Sequence, residues 1–304
     1  MDDVALITEL APVAESLVER HLSRAQEWFP HALVPWGRGQ DFEPDYEWDP
    51  AESGIEDPAV RSALFVNLLT EDNLPHYFET IYNLYGRDSG WGEWSMRWCA
   101  EEGRHAIVIR DYLTVTRAVD PVALERGRMS QISQGMVPRP QTVVDGLVYV
   151  TLQELATRIS HSNTGKLITD PVGTKIMKRV AADEQLHYNF YRDMTSAALE
   201  VDASTVILAL ERQVRDFEMP GVGIPDFATH ASAIAKAEIY DFLIHHDEIL
   251  QPVLIDHWKA DKVEGLTAEA EAARERLMRQ IDRVGRIGRR LRDRAASEPT
   301  PALT

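Results

Sequence analysis

Two short stretches of the chain carry the residue types that bind metal. Ala100-Glu101-Glu102-Gly103-Arg104-His105 and Ala182-Asp183-Glu184-Gln185-Leu186-His187 each place a glutamate three residues before a histidine. On a helix that spacing stacks both side chains on one face, about one turn apart, so each stretch can offer a carboxylate and an imidazole to the same ion. Glu71 lies 31 residues before Glu102, and Glu154 lies 30 before Glu184. The chain therefore has two similar halves, each ordered Glu and then Glu-x-x-His. A single Glu-x-x-His is weak evidence, because such pairs usually sit on a solvated face. Here Glu71 stands among Leu68, Leu69 and Leu74, and Glu154 among Leu152, Leu155 and Ala156. Buried carboxylates are costly unless paired, protonated or bound to a cation, and two divalent ions would balance four of them.

A lone Glu on each of two helices, with Glu-x-x-His on each of two others, is the known donor set of ferritin-like di-iron bundles. The expected ligands are Glu71, Glu102, His105, Glu154, Glu184 and His187, and the expected cofactor is two irons. Glu101 and Asp183 each precede a histidine by four residues, so they can accept the imidazole N–H that a metal leaves free, within their own helix or across the bundle. Thr157 shares a helix face with Glu154; its hydroxyl either meets bound oxygen or bonds the carbonyl one turn back. Cys99 reads as a small buried hydrophobe. Trp91, Trp94 and Trp98 read as core rather than as an electron path, and His161, His245, His246 and His257 receive no metal role.

Helices must position these groups. Periodic apolar residues predict helices over 4–27, 60–85, 91–118, 121–135, 142–161, 172–199, 202–217, 231–244, 250–262 and 267–294. Pro75 falls inside the second and deprives the Glu71 carbonyl of its usual donor, which predicts a local irregularity beside a ligand. Residues 28–57, rich in Pro, Gly, Asp and aromatics, are too long for a simple connection and read as a covering segment. Residues 295–304 are expected to be disordered. No convincing strand alternation appears. The expectation is an all-α, single-domain chain over 1–304, about ten helices in all, with a ferritin-like four-helix bundle at its centre.

Composition narrows the function. At 304 residues, 44% hydrophobic and 27% charged, the chain is ordinary for a soluble globular protein, and no apolar run approaches a membrane span. Neither a secretory signal nor an anchor is visible, so a soluble, cytoplasmic protein that does not span a membrane is expected. A net charge of −17 argues against nucleic-acid binding. One cysteine cannot hold an iron–sulfur cluster, so electrons must come from a partner. An acidic partner would need a local basic patch. Two are present: the helix from Arg274 to Arg294, with nine arginines against three acids and including Arg286, Arg289 and Arg290, and the trio Lys175, Lys178 and Arg179.

From about Trp28 to about Arg292 the chain resembles the soluble acyl-acyl carrier protein desaturases of plant plastids and actinobacteria. Thr70-Glu71-Asp72-Asn73-Leu74-Pro75 is similar to that family's T-E-D/E-A-L-P, and Ala100 to His105 to its A-E-E-N-R-H. Residues 153–161 resemble its Q-E-R-A-T-x-I-S-H, residues 181–187 its A-A-D-E-K-R-H, and Trp258 to Lys262 its W-x-x-x-K. The resemblance implies the same six ligands, an active-site role for Thr157, and an electron path or metal surroundings involving Trp28 and Asp183. It departs at Gly103 (Asn in the family), at Gln185 and Leu186 (Lys-Arg) and at Tyr188 (Glu). None is a ligand position, although the loss of Lys-Arg beside His187 implies a departure from the plant pattern in electron-donor docking or in the bonding around the ligands.

The implied activity is O2-dependent insertion of a cis double bond into a saturated fatty acyl chain carried by acyl carrier protein, in fatty acid biosynthesis. Implied partners are acyl carrier protein, a ferredoxin-like electron donor and a second copy of the chain in a homodimer. A di-iron hydroxylase or N-oxygenase of the same fold shares the ligand set. A non-catalytic ferritin-like metal-binding protein fits less well, because it needs only a short bundle.

Overall fold

The computed structural model describes residues 2–297 except 219, 220 and 222. Among the described residues there are twelve α-helices, two short 3-10 helices and one π-helix, and no strand. Three of the long helices begin at an Asp-Pro pair. In α3 (Pro58–Glu71), α6 (Pro121–Gln134) and α8 (Pro171–Val201) the aspartate carboxylate accepts the N–H of the second residue on, and proline opens the first turn, where its missing N–H costs nothing. Thr142 caps α7 (Val143–Leu167) through the Asp145 N–H. α1 (Asp3–Arg24) and α5 (Ser89–Val115) complete the long elements of the N-terminal half.

α3, α5, α8 and α7 form a closed ring in which each packs against the next, with α7 and α8 the most extensive pair. α1 lies along α5 and α8, α9 (Ala203–Arg215) along α7 and α12 (Ala268–Ser297), and α10 (Phe227–Lys236) along α3. The apolar interior divides into two clusters. Along α5, Trp91, Trp94 and Trp98 belong to one and Val108, Ile109, Tyr112 and Leu113 to the other; along α8, Phe190, Tyr191 and Met194 belong to one and Ile176, Met177 and Val180 to the other. The Glu-x-x-His motifs occupy the seam between them on both helices.

Several elements differ from the sequence expectation. The predicted helix over 60–85 is two, α3 and α4 (Leu74–Tyr85), broken at Asp72-Asn73. Pro75 cannot donate to the Glu71 carbonyl, so the chain turns and restarts with Pro75 in the first turn. The predicted helix over 231–244 stops at Lys236; Glu238 takes a positive φ of 54° and the chain restarts as α11 (Phe242–Ile244). That short helix continues directly as a π-helix, His245–His257, where an α-helix over 250–262 was expected. α7 runs six residues beyond His161. The 28–57 segment holds only short turns, including α2 (Pro30–Leu33), and anchors through buried Trp28, Val34 and Ile55. Of the tail expected to be disordered, 295–297 are helical and 298–304 lie outside the described residues.

Candidate metal centre

The ring of four helices brings all six expected ligands together. Glu71 comes from the last turn of α3, Glu102 and His105 from α5, Glu154 from α7, Glu184 and His187 from α8, and all six are buried. Their donor atoms form two overlapping quartets, Glu71, Glu102, His105, Glu184 and Glu102, Glu154, Glu184, His187. Glu102 and Glu184 belong to both. Each turns one oxygen to each imidazole: Glu102 Oε2 and Glu184 Oε1 lie 3.3 Å from His105 Nδ1, while Glu102 Oε1 and Glu184 Oε2 lie 2.8 and 3.8 Å from His187 Nδ1. Glu71 and Glu154 serve one end each, at 3.7 Å from His105 Nδ1 and 3.5 Å from His187 Nδ1.

These atoms are close without being aligned to bond one another. Glu102 Oε1, His105 Nδ1, Glu154 Oε2, Glu184 Oε2 and His187 Nδ1 are buried and have no hydrogen-bond partner among the described residues. Orphaned buried groups are expensive, so their convergence on common points fits two cations. Hard carboxylate oxygens with imidazole suit divalent iron.

The outer nitrogens are held by acids from the opposite motif. Glu101 Oε2 accepts His187 Nε2–H at 2.9 Å, and Asp183 Oδ2 lies 3.5 Å from His105 Nε2. This crossing fixes which ring nitrogen faces the cluster. Each acid is itself gripped by a ring N–H and arginines. Asp183 accepts from the Trp28 indole at 2.7 Å and pairs with Arg104 and Arg179; Glu101 is bonded by His21 at 3.0 Å and by Arg97 at 2.6 Å.

The terminal carboxylates show a second pairing. Glu71 Oε1 bonds His161 Nε2 at 2.9 Å and Glu154 Oε1 accepts the Trp98 indole N–H at 3.0 Å, so in each the remaining oxygen faces the cluster. The sequence reading foresees neither bond: His161 belongs to neither quartet yet holds Glu71, and Trp98, core as expected, also holds Glu154. His21 was also missed. The available signal for Trp98 was its position four residues before Glu102 on the ligand face; His21 and His161 lie on other helices at no fixed spacing from their partners.

Electrostatics agree with a site short of positive charge. Burial raises the Glu154 carboxyl well above the usual range, and Glu184 and Glu102 push it further. Burial and Glu184 likewise raise Glu102. Burial would also raise Glu71 and Glu184, but the imidazoles beside them outweigh it and hold both low. Burial opposes protonation of His105 and His187, yet the surrounding carboxylates hold both rings protonated well above the ordinary imidazole range. Protons thus sit where cations could.

Thr157 is half-buried and donates to the carbonyls of Gln153 and Glu154, at 3.2 and 3.1 Å, the local alternative of the sequence reading. Cys99 is half-buried rather than core, its thiol pushed up by burial and by Glu102. Lys175 and Lys178 are exposed, but Arg179 is engaged by Asp183 and by Gln26 at 2.9 Å, so it is not a free member of that patch. Arg286, Arg289 and Arg290 are exposed on α12. A cleft of about 230 Å³ reaches Glu71, whereas a larger one of about 660 Å³, between Arg38, Thr116, Arg117 and Asp170, includes none of the six residues.

Residues 2–303 match the family described as fatty acid desaturase. The chain belongs to that family. It is 39% identical over 319 residues to an acyl-[acyl-carrier-protein] desaturase of Mycobacterium tuberculosis, DesA1, covering 96% of this chain and 94% of the relative. It is 30% identical to the chloroplastic stearoyl-[acyl-carrier-protein] 9-desaturase of Ricinus communis, covering 86% of this chain and 72% of that one. Among solved structures it is similar to the M. tuberculosis acyl-ACP desaturase DesA2, with a TM-score of 0.68 at 30% identity, covering 84% of this chain and 95% of the other. The ferritin-like helical fold expected from the sequence is thus the fold of this desaturase. No helix among the described residues is long and apolar enough to cross a membrane.

Proposed function

We propose that this desaturase holds two irons between Glu71, Glu102, His105, Glu154, Glu184 and His187, and uses O2 to introduce a cis double bond into a saturated acyl chain tethered to acyl carrier protein. The observation that carries the reading is the shared pair, Glu102 and Glu184, each turning one oxygen to each imidazole. When bound, the irons supply the oxidising power needed to break unactivated C–H bonds. The protein supplies the rest. Glu101 and Asp183 hold the imidazole rings in the orientation that presents Nδ1, and all six side chains of the cluster are buried. Thr157, one turn beyond Glu154 and bonded to the carbonyls of Gln153 and Glu154, is the residue that the resemblance assigns to the oxygen side.

Electrons come from a ferredoxin-like donor by way of Trp28, Asp183 and His105, a chain of contacts from a nearly buried indole to a ligand. Acyl carrier protein, being acidic, docks on a basic face, either the exposed arginines of α12 or Lys175 and Lys178. A soluble, cytoplasmic homodimer completes the reading. The test is single-turnover incubation of reduced protein with saturated acyl-acyl carrier protein and O2, followed by mass analysis of the chain. Loss of two hydrogens supports desaturation; gain of oxygen assigns a hydroxylase, and an unchanged chain removes the acyl substrate.

A further inference from the structure

Gly103 stands between ligands, one residue after Glu102 and two before His105, in the middle of α5. Glycine inside a helix is destabilising, so its presence asks for a reason. Packing does not provide one. A Cβ built there would meet only Leu74 Cδ2, at 4.0 Å, an ordinary contact, and no positive φ is involved. What the missing side chain leaves open is a cleft of about 230 Å³ that Glu71 helps to line. Its walls come from the broken α3–α4 junction, with Asp72, Leu74 and Pro75, and from Ala106, Ile107 and Arg110 of α5. Where the resembling pattern carries Asn, a side chain would project into this space.

We infer that the cleft beside Gly103 is the route by which metal ions reach and leave the carboxylate cluster. Its lining includes Glu71, a hard anionic donor of the first quartet, which suits a divalent cation. At ~30 Å³ per water the space holds roughly seven waters, close to an ion with its hydration shell. The arginines nearby do not bar a cation, since Arg110 is bonded to Asp111 at 2.8 Å and Arg128 is paired with Asp72. The α3–α4 break and the glycine therefore act together: one sets the far wall and the other keeps the near wall low.

The inference rests on the proposed iron site, and the test separates the two. Metal-free protein is mixed with Fe²⁺ under nitrogen, and bound iron is followed in time by competition with a colorimetric chelator; loaded protein is then stripped with the same chelator. Gly103→Asn and Gly103→Leu should load and release iron about ten-fold more slowly, the effect of roughly 1.4 kcal/mol on a barrier, and reach the parent stoichiometry. Gly103→Ala should keep the parent rates. Ile107→Trp, at the half-exposed rim, repeats the block without touching the helix interior should the Gly103 variants fold poorly. Parent rates in folded Gly103→Leu and in Ile107→Trp overturn the route. So does a variant that loads normally but reacts more slowly with O2, which would assign the cleft to dioxygen. If the parent binds no iron at all, it is the metal site that fails.

Discussion

Glu101 accepts the Nε2–H of His187, not of the histidine on its own helix, and Asp183 stands in the same relation to His105. The two halves of the site are therefore interlocked: each Glu-x-x-His helix orients the imidazole of the other. A packing change at α5–α8 is felt at both imidazoles.

The first prediction concerns that lock. Glu101→Gln keeps the shape but loses the charge that holds the His187 ring, and changes of this kind cost about 10- to 100-fold in metal affinity. Iron titration of the variant should show one weakened equivalent and one near the parent value. Two unchanged equivalents would make Glu101 a bystander.

Thr157→Val should leave fold and iron content as in the parent, because the hydroxyl bonds only carbonyls of its own helix. O2 consumption should then exceed product formed. Equal coupling in the two proteins would reduce Thr157 to packing.

A pH effect on stability follows from His245. Burial holds its ring near a pKa of about 4, with His246 adding to the effect, and Nδ1 accepts from the Tyr240 hydroxyl at 2.8 Å. The folded value lies below the unfolded one of ~6.5, so between these limits the unfolded chain binds more protons. The contribution of His245 is full above pH ~6.5 and falls by up to ~1.4 kcal/mol per unit towards pH 4. Urea unfolding of metal-free parent and His245→Gln should give a stability difference that moves against the parent as pH drops from 7 to 5. A pH-independent difference contradicts it.

Docking is tested by charge reversal. Arg286, Arg289 and Arg290 to Glu, or Lys175 and Lys178 to Glu, should raise KM for acyl carrier protein, flatten its salt dependence and spare iron content. Arg179 is left unchanged because it grips Asp183. Parent KM in both variants would move docking elsewhere.

The spacing of Glu71, Glu102, His105, Glu154, Glu184 and His187 made the donor set legible, because helical period converts sequence distance into a shared face. The helices predicted from 60, 121 and 172 begin within two residues of those positions, at Pro58, Pro121 and Pro171. The break at Asp72-Asn73 was half-read: Pro75 announced an irregularity, but whether a helix kinks or restarts depends on what packs around it. The π-helix from His245 carries no pattern distinct from an α-helix. His21 and His161 were hidden because their partners Glu101 and Glu71 lie 80 and 90 residues away, on helices whose pairing only the fold decides.

The sharing of Glu102 and Glu184 between two quartets is tested by counting metal. Elemental analysis of reconstituted protein should give close to two irons per chain for the parent. In Glu102→Ala or Glu184→Ala, each of which strips a ligand from both quartets, binding of both should collapse, whereas Glu71→Ala, at one end only, should keep about one. Full iron in folded Glu102→Ala and Glu184→Ala would contradict the shared-carboxylate centre and the activity built upon it.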